Sequence, residues 1–263
     1  MIAMTMKQAT KNFIGHSFFR TGAYRRLYKQ KAVISLFHRV DDRLGDNPIS
    51  CTVKQFRTYS DFFRDYFHVV PLAELVGKLQ RGEDISQHLA ITFDDGYKDN
   101  SMIAAEELQK RKLPGCFFVV TDFIETDRVP WWDAKLGIQS RWMNWADVRM
   151  LKAAGFEVGA HTVNHLDLGE IEGAEAESEI VGSKKRLDHE LQTDTRLFSY
   201  PFGGRHQMKE SNRDIVRKIG FSCCLSAFGG IVTNETDLFH IPRVPVSQWF
   251  VSPYQFGIEA WRS

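Results

Sequence analysis

Two carboxylates stand side by side at Asp94 and Asp95, and Gly96 after them permits a sharp turn. Like charges so close repel, and burying both without a cation is costly. A metal ion on one would leave the other free as a base. Taken alone, Asp-Asp-Gly would serve equally as a turn capping a helix that starts at Asn100. Further along, His161-Thr162-Val163-Asn164-His165 sets two imidazoles four residues apart, near enough to share one ion. With Asp95 they form a two-histidine, one-carboxylate set that leaves coordination positions open to water and substrate, which suits catalysis. A pair of solvent-exposed histidines is the alternative. Zinc fits the ligand types first, with cobalt, nickel, manganese or iron also compatible.

Such residues need a scaffold. Short β-rich apolar runs recur at 32–37, 89–93, 116–120, 156–160, 197–200 and 221–225, with a weaker one at 241–246. Helix-like stretches lie between them at 53–67, 71–79, 100–112, 145–154, 174–191 and 208–219. The alternation predicts a parallel sheet covered by helices. His38, Asp94, His161 and Pro201 each follow the end of a predicted strand. In a parallel barrel those ends share one mouth, where active sites are built.

Thr92-Phe93-Asp94-Asp95-Gly96, His161-Thr162-x-x-His165 and Arg196-Leu197-Phe198-Ser199-Tyr200-Pro201-Phe202-Gly203, in this order, resemble the motifs of the NodB-homology polysaccharide deacetylases, carbohydrate esterase family four. The similarity spans about residues 32–246. It implies a distorted (β/α)7 barrel and metal-dependent hydrolysis of an acetyl group, most often N-acetyl, on a sugar of a cell-surface polysaccharide or its lipid-linked precursor. It implies that Asp94 is the catalytic base, that Asp95, His161 and His165 bind a divalent metal, and that the backbone N–H of Phe202 helps hold the oxyanion. Tyr97, Tyr200 and Pro201, within the same motifs, are expected to line the substrate site.

The chain departs from the commoner pattern of that family twice. Ser199 stands where an arginine usually orients the base; Arg243, in the last predicted strand, would supply that charge, a surface arginine being the alternative. No late strand ends in Leu-x-His, since His240 precedes its strand. In one branch of the family the acid histidine ends the first strand instead, and Leu36-Phe37-His38-Arg39-Val40 resembles that arrangement. His38 is therefore the expected general acid, its pKa raised by a neighbour such as Asp41 or Asp42. Asp133 is the reserve candidate for the base. Trp131 and Trp132 would stack on sugar rings, whereas Trp142 and Trp145 read as loop packing.

Composition sets the remaining bounds. With 263 residues, 43% hydrophobic and 25% charged, the chain can bury a large core, and it reads as a basic lead-in at 1–31 followed by one domain at 32–263. Four cysteines without a C-x-x-C spacing favour free thiols. Residues 1–40 hold eight Lys or Arg and no acid, so the other 223 carry 26 basic and 33 acidic groups, net −7. Aromatic residues lie among the early cations, a mixture suited either to an anionic membrane surface or to a helical lead-in. Nucleic-acid binding lacks support. No secretory signal pattern is visible, which makes the cytoplasm, or the inner face of its membrane, the expected location. A phosphatase using Asp94 would leave His161 and His165 without a task, and a catalytically inactive carbohydrate-binding relative is the other alternative.

Overall fold

The computed structural model describes residues 6–44, 47–246 and 250–262. Its strands are β1 (Ala32–Phe37), β2 (Arg39–Val40), β3 (Ser50–Cys51), β4 (His68–Val69), β5 (His88–Phe93), β6 (Cys116–Val119), β7 (Glu157–Ala160), β8 (Leu197–Ser199), β9 (Cys223–Leu225) and β10 (Val244–Pro245). Seven of them follow one another in the order β10-β1-β5-β6-β7-β8-β9, all parallel, and β4 pairs with the start of β5. The small β2–β3 pair stands apart, just beyond the end of β1. Helices α1 (Met6–Arg20), α2 (Tyr24–Leu27), α3 (Val53–Tyr66), α4 (Leu72–Arg81), α5 (Ala105–Arg111), α6 (Trp131–Lys135), α7 (Trp145–Ala153), α8 (Gly173–Leu191), α9 (Glu210–Lys218) and α10 (Pro253–Arg262) cover the parallel sheet as the alternation predicts and complete the distorted (β/α)7 barrel that the family resemblance implies.

Period-two alternation divides the core. Val33, Phe37, Leu89, Ile91, Phe93, Phe117 and Phe198 pack with the covering helices, while Ile34, Ala90, Cys116, Phe118 and Leu225 form a separate inner cluster. Leu72, Leu75, Val76 and Leu79 of α4 belong to that inner cluster, so α4 plugs the end of the barrel where the strands begin. Glu157, at the start of β7, accepts hydrogen bonds from the first free N–H groups of α4, at Leu72 (2.6 Å) and Ala73 (2.8 Å).

Residues 241–246 bridge the two edges of the sheet. Ile241 pairs with Leu225 of β9, and Val244 and Pro245 pair with Ser35 and Leu36 of β1. The expected strand at 241–246 is regular only at Val244–Pro245; Pro242, just before it, has no N–H to give to a ladder. Arg243 lies between the two pairings and is fully buried. At the other terminus, Phe19, Tyr24 and Tyr28 are buried against α3 and α10: Phe19 meets Phe62 with ring centroids 4.8 Å apart, and the Tyr28 hydroxyl donates to the Gly257 carbonyl at 2.5 Å. The four cysteines are free and buried.

Candidate active site

The strand ends converge through strained turns. Asp95 (φ 78°), Thr162 (φ 65°), His165 (φ 58°) and Phe202 (φ 59°) all hold left-handed backbone, a conformation that costs an L-residue roughly 1 to 2 kcal/mol. Such residues gather where the surrounding structure over-determines them. Glycine is required beside one of them: Gly203 has φ 58°, and a Cβ there would lie 2.4 Å from the Ala227 nitrogen.

Asp94 is buried and bound on both oxygens by Arg243, with Nη1 donating to Oδ1 at 2.8 Å and Nη2 to Oδ2 at 2.6 Å. Arg243 Nη2 also donates to Ser199 Oγ (2.7 Å), which donates to Asp94 Oδ2 (3.1 Å), and Arg243 Nε donates to the Ser226 carbonyl (2.6 Å). Burial pushes the Asp94 carboxyl up, but the Arg243 guanidinium and the nearby imidazoles outweigh it and leave the group below its usual range. Asp94 is thus a carboxylate held in one orientation.

Asp95 Oδ1 lies 3.4 Å from His161 Nε2 and 3.4 Å from His165 Nε2. Two bonds of about 2.1 Å at a tetrahedral angle place their donor atoms about 3.4 Å apart, so the three side chains fit a small divalent ion. The ligand atoms all fall within 4.8 Å of one another. His161 Nδ1 donates to the Ser199 carbonyl at 2.8 Å, which leaves the Nε2 lone pair facing the carboxylates. Burial raises the Asp95 carboxyl, yet its contacts with His161 and His165 hold it well below the usual range. Glu179 of α8 fixes the intervening loop by accepting from the N–H groups of Val163 (3.1 Å) and Asn164 (2.8 Å).

A cavity of about 380 Å³ opens over these groups. His38, Asp94, Asp95, His161 and His165 form its floor, with Pro48, Ile49, Trp131, Trp132, Lys135, Leu136, Phe202 and Ala227 around them. Trp131 is 65% exposed, and the Trp132 ring lies 4.8 Å from that of His165. The Phe202 N–H makes no hydrogen bond among the described residues. His38 is flanked on its main chain: Asn100 Nδ2 donates to its carbonyl (2.7 Å) and Val40 N–H donates to Asp99 Oδ1 (2.8 Å). Burial lowers the pKa of its imidazole, and Asp94 and Asp95 only partly oppose that.

Several expectations need correction. Tyr97 is buried outside the cavity, stacked on Trp142 at 4.5 Å and donating to Asp133 Oδ2 at 3.1 Å. Tyr200 follows the inward-facing Ser199, so strand alternation turns it to the helix side, where it packs against Phe198; Pro201 is buried in the turn beyond. Asp133 is no reserve base, because it is fully buried and accepts from Arg39 Nη1 (2.7 Å), Ser140 Oγ (2.7 Å) and Tyr97. The carboxylates acting on His38 are Asp94 and Asp95, since Asp41 is paired with Arg43 and Asp42 accepts from the Val53 N–H, and the net shift is downward rather than upward. Two expectations agree with the structure: His240 packs on Phe228 away from the cavity, and Trp142 and Trp145 are buried packing residues. The positioning roles of Arg39, Asp99, Asn100 and Glu179 escaped the sequence reading. The only local signal for them was charge or amide beside a motif.

Comparison with known proteins agrees with this fold. The pattern of the family described as polysaccharide deacetylase matches residues 81–224, more than half of the chain. YxkH of Bacillus subtilis (strain 168), assigned to the polysaccharide deacetylases, is 22% identical over 219 residues, which cover 82% of this chain and 72% of YxkH. The Streptococcus pyogenes deacetylase PplD, solved in complex with acetate, has a TM-score of 0.73 at 19% identity, covering 88% of this chain and 98% of that one. IcaB from Ammonifex degensii has a TM-score of 0.71 at 22% identity, with 88% and 97% covered. The two structures share the fold, and the pattern match extends the relationship to sequence: this chain belongs to the polysaccharide deacetylase family.

Proposed function

We propose that the protein hydrolyses the N-acetyl group of an N-acetylhexosamine, in a cell-surface glycan or its lipid-linked precursor, with the aid of one divalent metal ion. The observation that carries this reading is the junction of an oriented carboxylate, Asp94 on Arg243, with the Asp95, His161 and His165 donor set at the floor of one cavity. A metal ion held by that set, zinc being the first choice, would acidify water and polarise the acetyl carbonyl.

The chain's own residues supply the rest. Asp94 takes a proton from the water that attacks the acetyl carbon. The free Phe202 N–H donates to the oxygen that gains negative charge. His38 then gives a proton to the amide nitrogen as the carbon–nitrogen bond breaks, releasing acetate and a free amine. An imidazole whose pKa is lowered gives up its proton readily once charged. Trp131 and Trp132 offer aromatic faces to the apolar side of a pyranose. The cavity is near the small end of ligand pockets, which run from about 300 to 1,000 Å³, and suits one sugar with its acetyl arm.

The test is acetate release from a panel of N-acetylated oligosaccharides and lipid-linked sugars, with Asp94→Asn as the control. Asparagine keeps the shape and removes the base, so turnover should fall about 100-fold or more while metal content stays constant. Near wild-type turnover in the variant would overturn the assignment.

A further inference from the structure

We propose that α1 and α2 dock the protein on the surface of an anionic lipid bilayer. This reading does not depend on which sugar the active site takes. The eight cations of residues 1–40 divide in the structure. Lys11 pairs with Glu259 at 3.0 Å, Lys31 sits over the Trp261 ring at 5.5 Å, and Arg39 is buried on Asp133. Lys7, Arg20, Arg25, Arg26 and Lys29 are exposed. On the outer side of α1, Met6 is 89% exposed, Phe13 75% and Ile14 50%. Met6 and Phe13 are two turns apart on one face, and Ile14 adjoins them.

That face cannot rotate inward. On the opposite side, Gly15 lies so close to α10 that a Cβ would stand 2.4 Å from the Tyr254 carbonyl oxygen, and Phe19 is locked among Tyr24, Phe62 and Tyr66. The outward face of α1 therefore presents large apolar side chains on a helix that also exposes Lys7 and Arg20, and α2 follows it with Arg25 and Arg26 exposed. Two nearby acids are already engaged, Glu259 with Lys11 and Asp65 with Arg64. Exposed aromatic and aliphatic groups among cations on a surface helix are the chemistry of an anionic bilayer interface, where the apolar groups enter the headgroup boundary and the cations meet lipid phosphates.

The experiment is co-sedimentation of the full chain with vesicles of phosphatidylglycerol and phosphatidylcholine, against vesicles of phosphatidylcholine alone. Binding should require the anionic lipid and weaken with added salt. Each cation at such a surface is worth about fivefold in partitioning, so a combined Arg20→Gln, Arg25→Gln, Arg26→Gln variant should lose on the order of a hundredfold. Phe13→Glu with Ile14→Glu should also release the protein, and neither variant should change the unfolding temperature, because the altered side chains are exposed. Equal binding to neutral vesicles, no binding to either, or full binding by both variants would overturn the proposal. Oligomers without lipid that Phe13→Glu dissolves would assign the face to a second copy instead, and would overturn it too.

Discussion

Asp133→Asn tests whether the loop over the cavity is held by one buried charge pair. Asp133 is fully buried and Arg39 is 2% exposed, with Nη1 and Oδ1 2.7 Å apart. The carboxylate also accepts from the Tyr97 and Ser140 hydroxyls, and the Tyr97 oxygen accepts from Trp132 Nε1 at 2.9 Å. Asparagine keeps the shape but leaves the guanidinium without its counter-charge, which costs about 3 to 5 kcal/mol. At roughly 2 to 4 °C per kcal/mol for a domain near this size, the unfolding temperature should fall by about 6 to 20 °C. The loss should also reach the substrate, because Trp132 packs on His165 and is tethered through Tyr97. Under the proposed function, in which Trp131 and Trp132 face the sugar and the loop carries no reacting atom, KM should rise more than kcat falls.

A double variant separates the pair from the cost of an orphaned charge. Arg39→Met with Asp133→Leu removes both charges and should recover most of the lost stability, while the KM defect persists because the Tyr97 hydroxyl has lost its acceptor. Thermal unfolding and steady-state kinetics on the same preparations decide. If Asp133→Asn unfolds within about 1 kcal/mol of wild type, or if the double variant loses the sum of the single losses, the reasoning is wrong.

Three further outcomes are expected. His161→Ala with His165→Ala should lose bound metal by elemental analysis; full occupancy would exclude the site. His38→Ala should keep metal and fold but slow amide hydrolysis far more than hydrolysis of an activated acetate ester, whose leaving group needs no proton; equal slowing of both would remove His38 as the acid. Glu107, bound by Arg57 (2.8 Å), Arg111 (2.7 Å) and Lys110 (3.1 Å), is held down to about 2 from its ordinary 4.5, so its stabilisation is present above 4.5 and lost as pH falls toward 2. Because Arg57 and Lys110 are half exposed, Glu107→Gln should cost about 1 to 2 kcal/mol at neutral pH, and urea unfolding should show that gap closing across this acid window.

What the sequence made legible follows from the range of each interaction. Strands such as Ala32–Phe37 and helices such as Val53–Tyr66 rest on local periodicity, and their predicted and observed limits agree within a residue or two. Strand ends carrying Asp94, Asp95, His38 and His161 could be placed at one mouth because parallel strands share a direction. Side-chain facing beyond a strand end could not. Tyr200 and Tyr97 sit in motifs that also carry residues at the cavity floor or beside it, yet one residue of alternation and one tight turn send both into the core. The helix expected at 100–112 opens with a wide π turn at Asn100–Ala104, and Asn100 at its start reaches the His38 carbonyl, a contact across 62 residues.

The same distinction explains how Asp94 is oriented. In the commoner pattern of the family whose motifs this chain resembles, the arginine stands in the motif itself, two residues before the position of Pro201, where Ser199 stands here. The structure brings a guanidinium to that place from residues 241–246, which span both edges of the sheet and so carry Arg243 across the barrel interior. Ser199 is small enough to admit it, and its hydroxyl joins Arg243 to Asp94 while its carbonyl orients His161. A long side chain at 199 would occupy the space the guanidinium fills. The serine and the distant arginine are therefore one solution in two parts: orientation of the Asp94 carboxylate depends on closure of the barrel, and a lesion in residues 241–246 should disturb Asp94 before it reaches the Asp95, His161 and His165 donor set.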